Sequence, residues 1–173
     1  MNQHQYGKKY QQISSEDYSD LFRLVREVVW EYTRKTRPGI LLGLAEMGFD
    51  RGNFIGGLHF TGTNEIYLNR SALRVMKEES SPELTKAYIF LLLTHEYLHS
   101  VGVHSEGKTR ELTAALLVTL FGEQHPSSIM AQRGLNYYFP YTFNFRRYRP
   151  SREEIGTVDY VKINHPDSEL TYL

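Results

Sequence analysis

Cysteine is absent from the 173 residues. This excludes a disulfide framework and any thiolate metal site, so a bound metal must rely on histidine and carboxylate ligands. An excess of one charge is also lacking, because 20 basic residues balance 20 acidic ones. No basic field calls for nucleic acid, and none is expected as a partner. Long apolar runs are missing too. The longest, Tyr88 to Leu93, falls far short of the roughly 20 residues that cross a bilayer. The opening segment MNQHQYGKKYQQ holds no apolar stretch suited to a signal peptide, so a cytoplasmic protein without membrane contact is expected. Aromatic residues are plentiful, with 13 Tyr and 9 Phe gathered toward the C-terminus.

The length suits one domain over residues 1–173, with residues 1–13 and 165–173 expected as tails. A first helix is expected from about Glu16 to Lys35, capped by Ser14 or Ser15 and stopped by Pro38-Gly39. Leu21, Leu24, Val25, Val28 and Tyr32 give it a helical stripe. Ile40 to Leu44 reads as a buried strand. Phe54 to Phe60 and Glu65 to Asn69 read as two strands joined by Thr61-Gly62-Thr63-Asn64, with Ile66 and Leu68 on one face. Gly56-Gly57 marks a bulge or a close backbone approach. A short helix follows from Ser71 to Lys77. Ser81-Pro82-Glu83 then starts a longer one that runs to about Val101, with Gly102 as its C-terminal cap. Another helix spans about Lys108 to Phe121, ending at Gly122. The remainder reads as an aromatic-rich wrap.

The chemistry concentrates in Leu93-Thr94-His95-Glu96-Tyr97-Leu98-His99. Histidines four apart on a helix share one face, so both imidazoles can reach one ion. Glu96, rotated by about 100° around the axis, lies beside the open coordination position. A zinc-bound water has its pKa lowered to roughly 7, and Glu96 is placed to take its proton. The bland alternative is two helical histidines beside an ion-pairing glutamate. The apolar stripe Tyr88, Leu91 and Leu92 on the same helix favours the metal reading, because it buries the motif against a sheet.

His95-Glu96-x-x-His99-x-x-Gly102 resembles the zincin metallopeptidases, and in particular the first part of the metzincin motif. The wider context, with Asn64-x-Ile66-x-Leu68-Asn69, resembles small archaeal metzincin- and minigluzincin-like proteins over about residues 38–131. This resemblance implies an α+β zincin-like fold: N-terminal helix, small mixed sheet, active-site helix, following helix and aromatic-rich C-terminal wrap. It also implies Zn2+ as cofactor, a peptide or protein substrate, His95 and His99 as ligands and Glu96 as the catalytic base. Metzincins bring their third ligand to the position of Ser105, a poor zinc ligand. Glu106 is the favoured substitute if the chain turns at Gly102, helped by Gly107. Glu111 is the runner-up, placed as in an antiparallel helical hairpin. His104 comes next, then His125 or water.

Lesser candidates are Met130, as a methionine turn or a core filler, and Tyr137 or Tyr138, as an oxyanion donor or a packing residue. The edge strand Phe54 to Phe60 is a candidate substrate-pairing edge. Tyr141 to Pro150 interleaves aromatics and arginines as a single-stranded nucleic-acid platform would, or as a solvated wrap over the core. Two rival readings stand beside the peptidase. One is a zincin-fold metal protein with a regulatory or binding role and little turnover. The other is an interaction module whose histidines are structural.

Overall fold

A computed structural model describes residues 2–50, 55–140 and 147–163. The elements in chain order are α1 (Gln3–Gln12), α2 (Tyr18–Thr33), β1 (Leu41–Ala45), β2 (Phe49–Asp50), β3 (Gly57–His59), β4 (Glu65–Asn69), α3 (Arg70–Glu79), α4 (Pro82–Ser100), α5 (Glu106–Phe121), α6 (Pro126–Arg133), β5 (Arg147–Tyr148) and β6 (Val158–Val161). A short 3-10 turn at Leu135–Tyr137 follows α6. The fold is α+β, and no helix among the described residues is long and apolar enough to cross a membrane.

Four strands form a mixed sheet in the order β3-β4-β1-β6. β1 and β4 run parallel, with Leu42 opposite Ile66 and Leu44 opposite Leu68. β3 and β6 lie antiparallel to their neighbours and form the two edges. The alternation in β4 is as expected, since Ile66 and Leu68 are both fully buried. Asn69 ends β4 and caps α3, its side-chain oxygen accepting from Ser71 N at 3.1 Å and Ala72 N at 3.4 Å.

α4 is the central element, packed by α2, α5 and α6, with β3 lying across it. This explains its nearly all-round burial, including Ile89, Phe90, Leu93, Tyr97 and Leu98. Phe22 of α2 meets Tyr97 edge to face, with centroids 5.6 Å apart. Each such buried aromatic contributes about 1.5–3 kcal/mol. The Tyr97 hydroxyl accepts from Arg37 N at 3.1 Å, which ties the segment after α2 to α4.

Several boundaries differ from expectation. Residues 3–12 form a helix rather than a tail, with Tyr10 buried against Phe90 and Phe121. α2 is capped by Asp17, whose carboxylate accepts from Asp20 N at 2.9 Å, and it ends at Arg34 in a left-handed conformation. Neither Ser14 nor Ser15 caps α2, and the helix stops before Pro38-Gly39. Of the strand expected over 54–60, residues 57–59 form β3, and Phe54 lies outside the described residues. The Gly56 carbonyl still accepts from Asn69 N at 2.8 Å. α6 was not anticipated, although His125-Pro126 at its start and Gly134 at its end are recognisable punctuation. The expected tail at 165–173 lies outside the described residues.

Candidate metal centre and cleft

The site begins with how α4 ends. Gly102 adopts φ +97° just past the C-cap Val101. Gly102 N donates to the His99 carbonyl at 3.0 Å and Val103 N to the Leu98 carbonyl at 3.1 Å. These two bonds make a Schellman turn, which reverses the chain. Ser105 then caps α5 by accepting from Lys108 N at 3.4 Å, so Glu106 is the first residue of the new helix. The serine at the metzincin ligand position thus starts a helix. Gly107 lies inside that helix and takes no part in the turn.

This turn brings Glu106 to the histidines. Its Oε2 stands 3.1 Å from His99 Nε2, and its Oε1 stands 3.4 Å from His95 Nε2. The two Nε2 atoms are 3.2 Å apart. One donor atom from each of His95, His99 and Glu106 lies within 4.8 Å of the others. His99 Nδ1 donates to the Val103 carbonyl at 2.7 Å, because a carbonyl only accepts. In the neutral ring the lone pair therefore sits on Nε2, facing the cluster. The single hydroxyl proton of Thr109 is shared between the same carbonyl at 3.0 Å and Ser105 O at 2.9 Å, holding the turn against α5. Such outer bonds fix the orientation of a ligating imidazole.

The donor set fits a metal ion. Nitrogens about 2.0–2.1 Å from a tetrahedral ion of zinc's size stand about 3.3 Å apart, close to the 3.2 Å between these rings. Burial holds His95 below its ordinary range, against the pull of Glu106 and with the help of His99. A lowered pKa favours the neutral ring, the form that ligates a metal. Partial burial works to raise the Glu106 carboxyl, but His95, Arg110 and His99 outweigh it and hold it low. Arg110 Nε donates to Glu106 Oε1 at 2.8 Å.

Glu96 is 6% exposed. Burial first, then the charge of Glu106, pushes its carboxyl up to about 7, while the His59 main-chain N–H pulls it down. It fits beneath β3 because residue 57 is glycine. A Cβ there would lie 2.9 Å from Glu96 Cγ and 3.1 Å from its Oε1. The close backbone approach expected at Gly56-Gly57 is the approach of β3 to α4.

A cleft of about 730 Å³ runs over this centre, walled by residues 55–59 on one side and by α4, α5 and α6 on the others. Of the remaining sequence candidates, Met130 lines the cleft floor from within α6, buried, and forms no turn. Glu111 is exposed and, five residues beyond Glu106 on the same helix, points about 140° away from it. It does not reach the histidines. His104 lines a separate surface pocket with Lys35 and Lys108. His125 caps α6, accepting from Ser127 N at 3.2 Å, and stacks on Phe121. Tyr137 and Tyr138 pack edge to face at 5.0 Å and are not among the cleft-lining residues. Residues 141–146 of the aromatic-arginine segment lie outside the described residues. Its Tyr148 accepts from Arg74 at 2.9 Å and stacks on Phe49, both structural contacts.

Sequence reasoning missed Thr109 and Arg110. Arg110 stands four residues beyond Glu106, the spacing of a helical ion pair that could have been read, whereas nothing local announces Thr109, which acts through the turn that only the fold reveals. In comparisons with known proteins, no family model, no curated protein and no solved structure matches this chain.

Proposed function

We propose that the chain is a zinc-dependent peptidase of the zincin type, with His95, His99 and Glu106 as metal ligands and Glu96 as general base. The observation that carries this reading is the convergence of three electron-pair donors beside a buried carboxylate lined into the same cleft. Held by these three residues, a zinc ion would supply the Lewis acidity that polarises a carbonyl and acidifies water near neutral pH.

The chain's own groups supply the rest. Glu96 accepts a proton from the attacking water as its oxygen bonds to the carbonyl carbon. The same carboxyl then returns that proton to the departing amide nitrogen as the C–N bond breaks. Burial, which pushes Glu96 up to about 7, suits a group that must both take and give a proton near neutrality. β3 is an edge strand bordering the cleft, so an extended peptide can pair with its outer edge and lie across the metal centre.

The test is a peptide library digested by wild type, Glu96→Gln and His95→Ala. Zinc-dependent cleavage is expected from wild type only. Glu96→Gln should keep its metal and His95→Ala should lose it. A wild type that binds zinc and cuts nothing would favour a regulatory metal protein instead.

A further inference from the structure

Further up the cleft face of α4, a buried polar atom has no partner among the described residues. Tyr88 is 1% exposed, and its hydroxyl meets no hydrogen-bonding group among the described residues. Tyr88 nonetheless belongs to the cleft wall, with Ile55, Gly56, Leu91 and Leu92. Residue 56, whose backbone closes over this buried hydroxyl, has no side chain. A Cβ there would lie 2.6 Å from the Tyr88 hydroxyl and 2.9 Å from Leu92 Cδ2. A buried hydroxyl left unpaired is costly, and a group that completes it is favoured accordingly.

Position and chemistry define what would complete it. Seven residues return a helix to within about 20° of the same face, so Tyr88 and His95 look the same way, about 10 Å apart along the axis. That span is about three residues of an extended peptide. Burial, and secondarily the charge of Glu96, raises the Tyr88 pKa, so the phenol keeps its proton and acts as a donor. The adjoining walls, Ile55, Leu91 and Leu92, are apolar. A carboxylate would be desolvated there without a cation, and an aliphatic side chain would leave the hydroxyl unpaired. A neutral amide offers a carbonyl acceptor without a charge.

We propose that Tyr88 is a specificity-determining residue. Its hydroxyl donates to the amide carbonyl of a glutamine or asparagine about three positions from the scissile bond. This inference rests on reading the cleft as a peptidase site, and its test separates the two.

The probes are hexapeptide phosphinates in which a phosphinate replaces the scissile bond. Glutamine, or homoleucine with its shape but no acceptor, stands third on one side of the phosphinate and then on the other. Kd is measured on zinc-loaded wild type and Tyr88→Phe. In one of the two placements the glutamine-to-homoleucine preference should fall by about tenfold in Tyr88→Phe, as expected for one hydrogen bond to a buried donor. The Tm of Tyr88→Phe should equal or exceed that of wild type, because no bond within the protein is lost. An unchanged preference in both placements, with zinc-dependent binding intact, overturns the inference and leaves the peptidase reading standing. A lowered Tm also overturns it, by showing the hydroxyl already satisfied. Absence of zinc-dependent binding by every phosphinate overturns the peptidase reading and this inference together.

Discussion

His99 donates its Nδ1 proton to the Val103 carbonyl at 2.7 Å, across the turn made by Gly102. One bond thus couples the helix terminus to the tautomer of the ring. The residues that reverse the chain also aim His99 Nε2 and deliver Glu106 to it. Metal affinity should therefore follow the geometry of the turn as well as the ligands.

Gly102→Ala is expected to destabilise the fold by about 1–2 kcal/mol and to weaken zinc binding. The cause is backbone conformation: φ is +97° and no atom lies within 4 Å of where a Cβ would stand. Gly7→Ala, in an equally open position on α1, should stabilise by about 0.5–1 kcal/mol. Denaturant unfolding of both variants, with chelator competition on the first, checks the pair.

Glu106→Ala should release zinc readily, whereas Glu111→Ala and His104→Ala should hold it. A bystander on the surface alters stability by no more than about 0.5 kcal/mol. Competition with a zinc chelator ranks the three. Retention in Glu106→Ala alongside loss in Glu111→Ala would replace the turn-borne ligand with one from the middle of α5.

Gly57→Ala should abolish hydrolysis while leaving zinc in place. The new methyl would contact Glu96 at 2.9–3.3 Å and push its carboxylate out of position, the three atoms nearest to it all belonging to Glu96 and none to His95, His99 or Glu106. Metal content and peptide cleavage, measured on one preparation, separate the two effects. Full activity would show that Glu96 tolerates displacement and is not the base.

His125 provides a pH-dependent test away from the metal. Burial first, then the nearby charge of Lys86, lowers its pKa to about 4, and its Nδ1 accepts from Ser127 N to cap α6. A depressed folded-state pKa means the unfolded chain takes up the proton first. The contribution is present above about 6.5 and is lost as pH falls toward 4. His125→Asn keeps a capping acceptor without the titration. Thermal unfolding between pH 7 and 4 should show a smaller loss in the variant, and equal losses would remove His125 as a source.

α4 was legible because three signals coincide: Ser81-Pro82 at its start, the histidine pair within it and Gly102 beyond its end. β4 was legible because alternation and burial agree. The third candidate ligand could be ranked but not assigned, since Glu106 reaches the histidines only if the chain reverses. One left-handed glycine decides that, and the following serine then caps α5. α6 escaped notice because a short helix carries little periodicity. β6 escaped because its pairing with β1 joins residues more than a hundred positions apart. Tyr88 read as part of an apolar stripe, and no local pattern reveals that its hydroxyl has no partner among the described residues.

The central claim is that His95, His99 and Glu106 hold one zinc ion. Its most direct test is elemental analysis of dialysed protein, wild type beside the His95→Ala/His99→Ala double variant, each after zinc loading. About one equivalent per chain in the wild type and none in the variant is the predicted result. A wild type that retains no zinc, or a double variant that retains as much, would contradict the account.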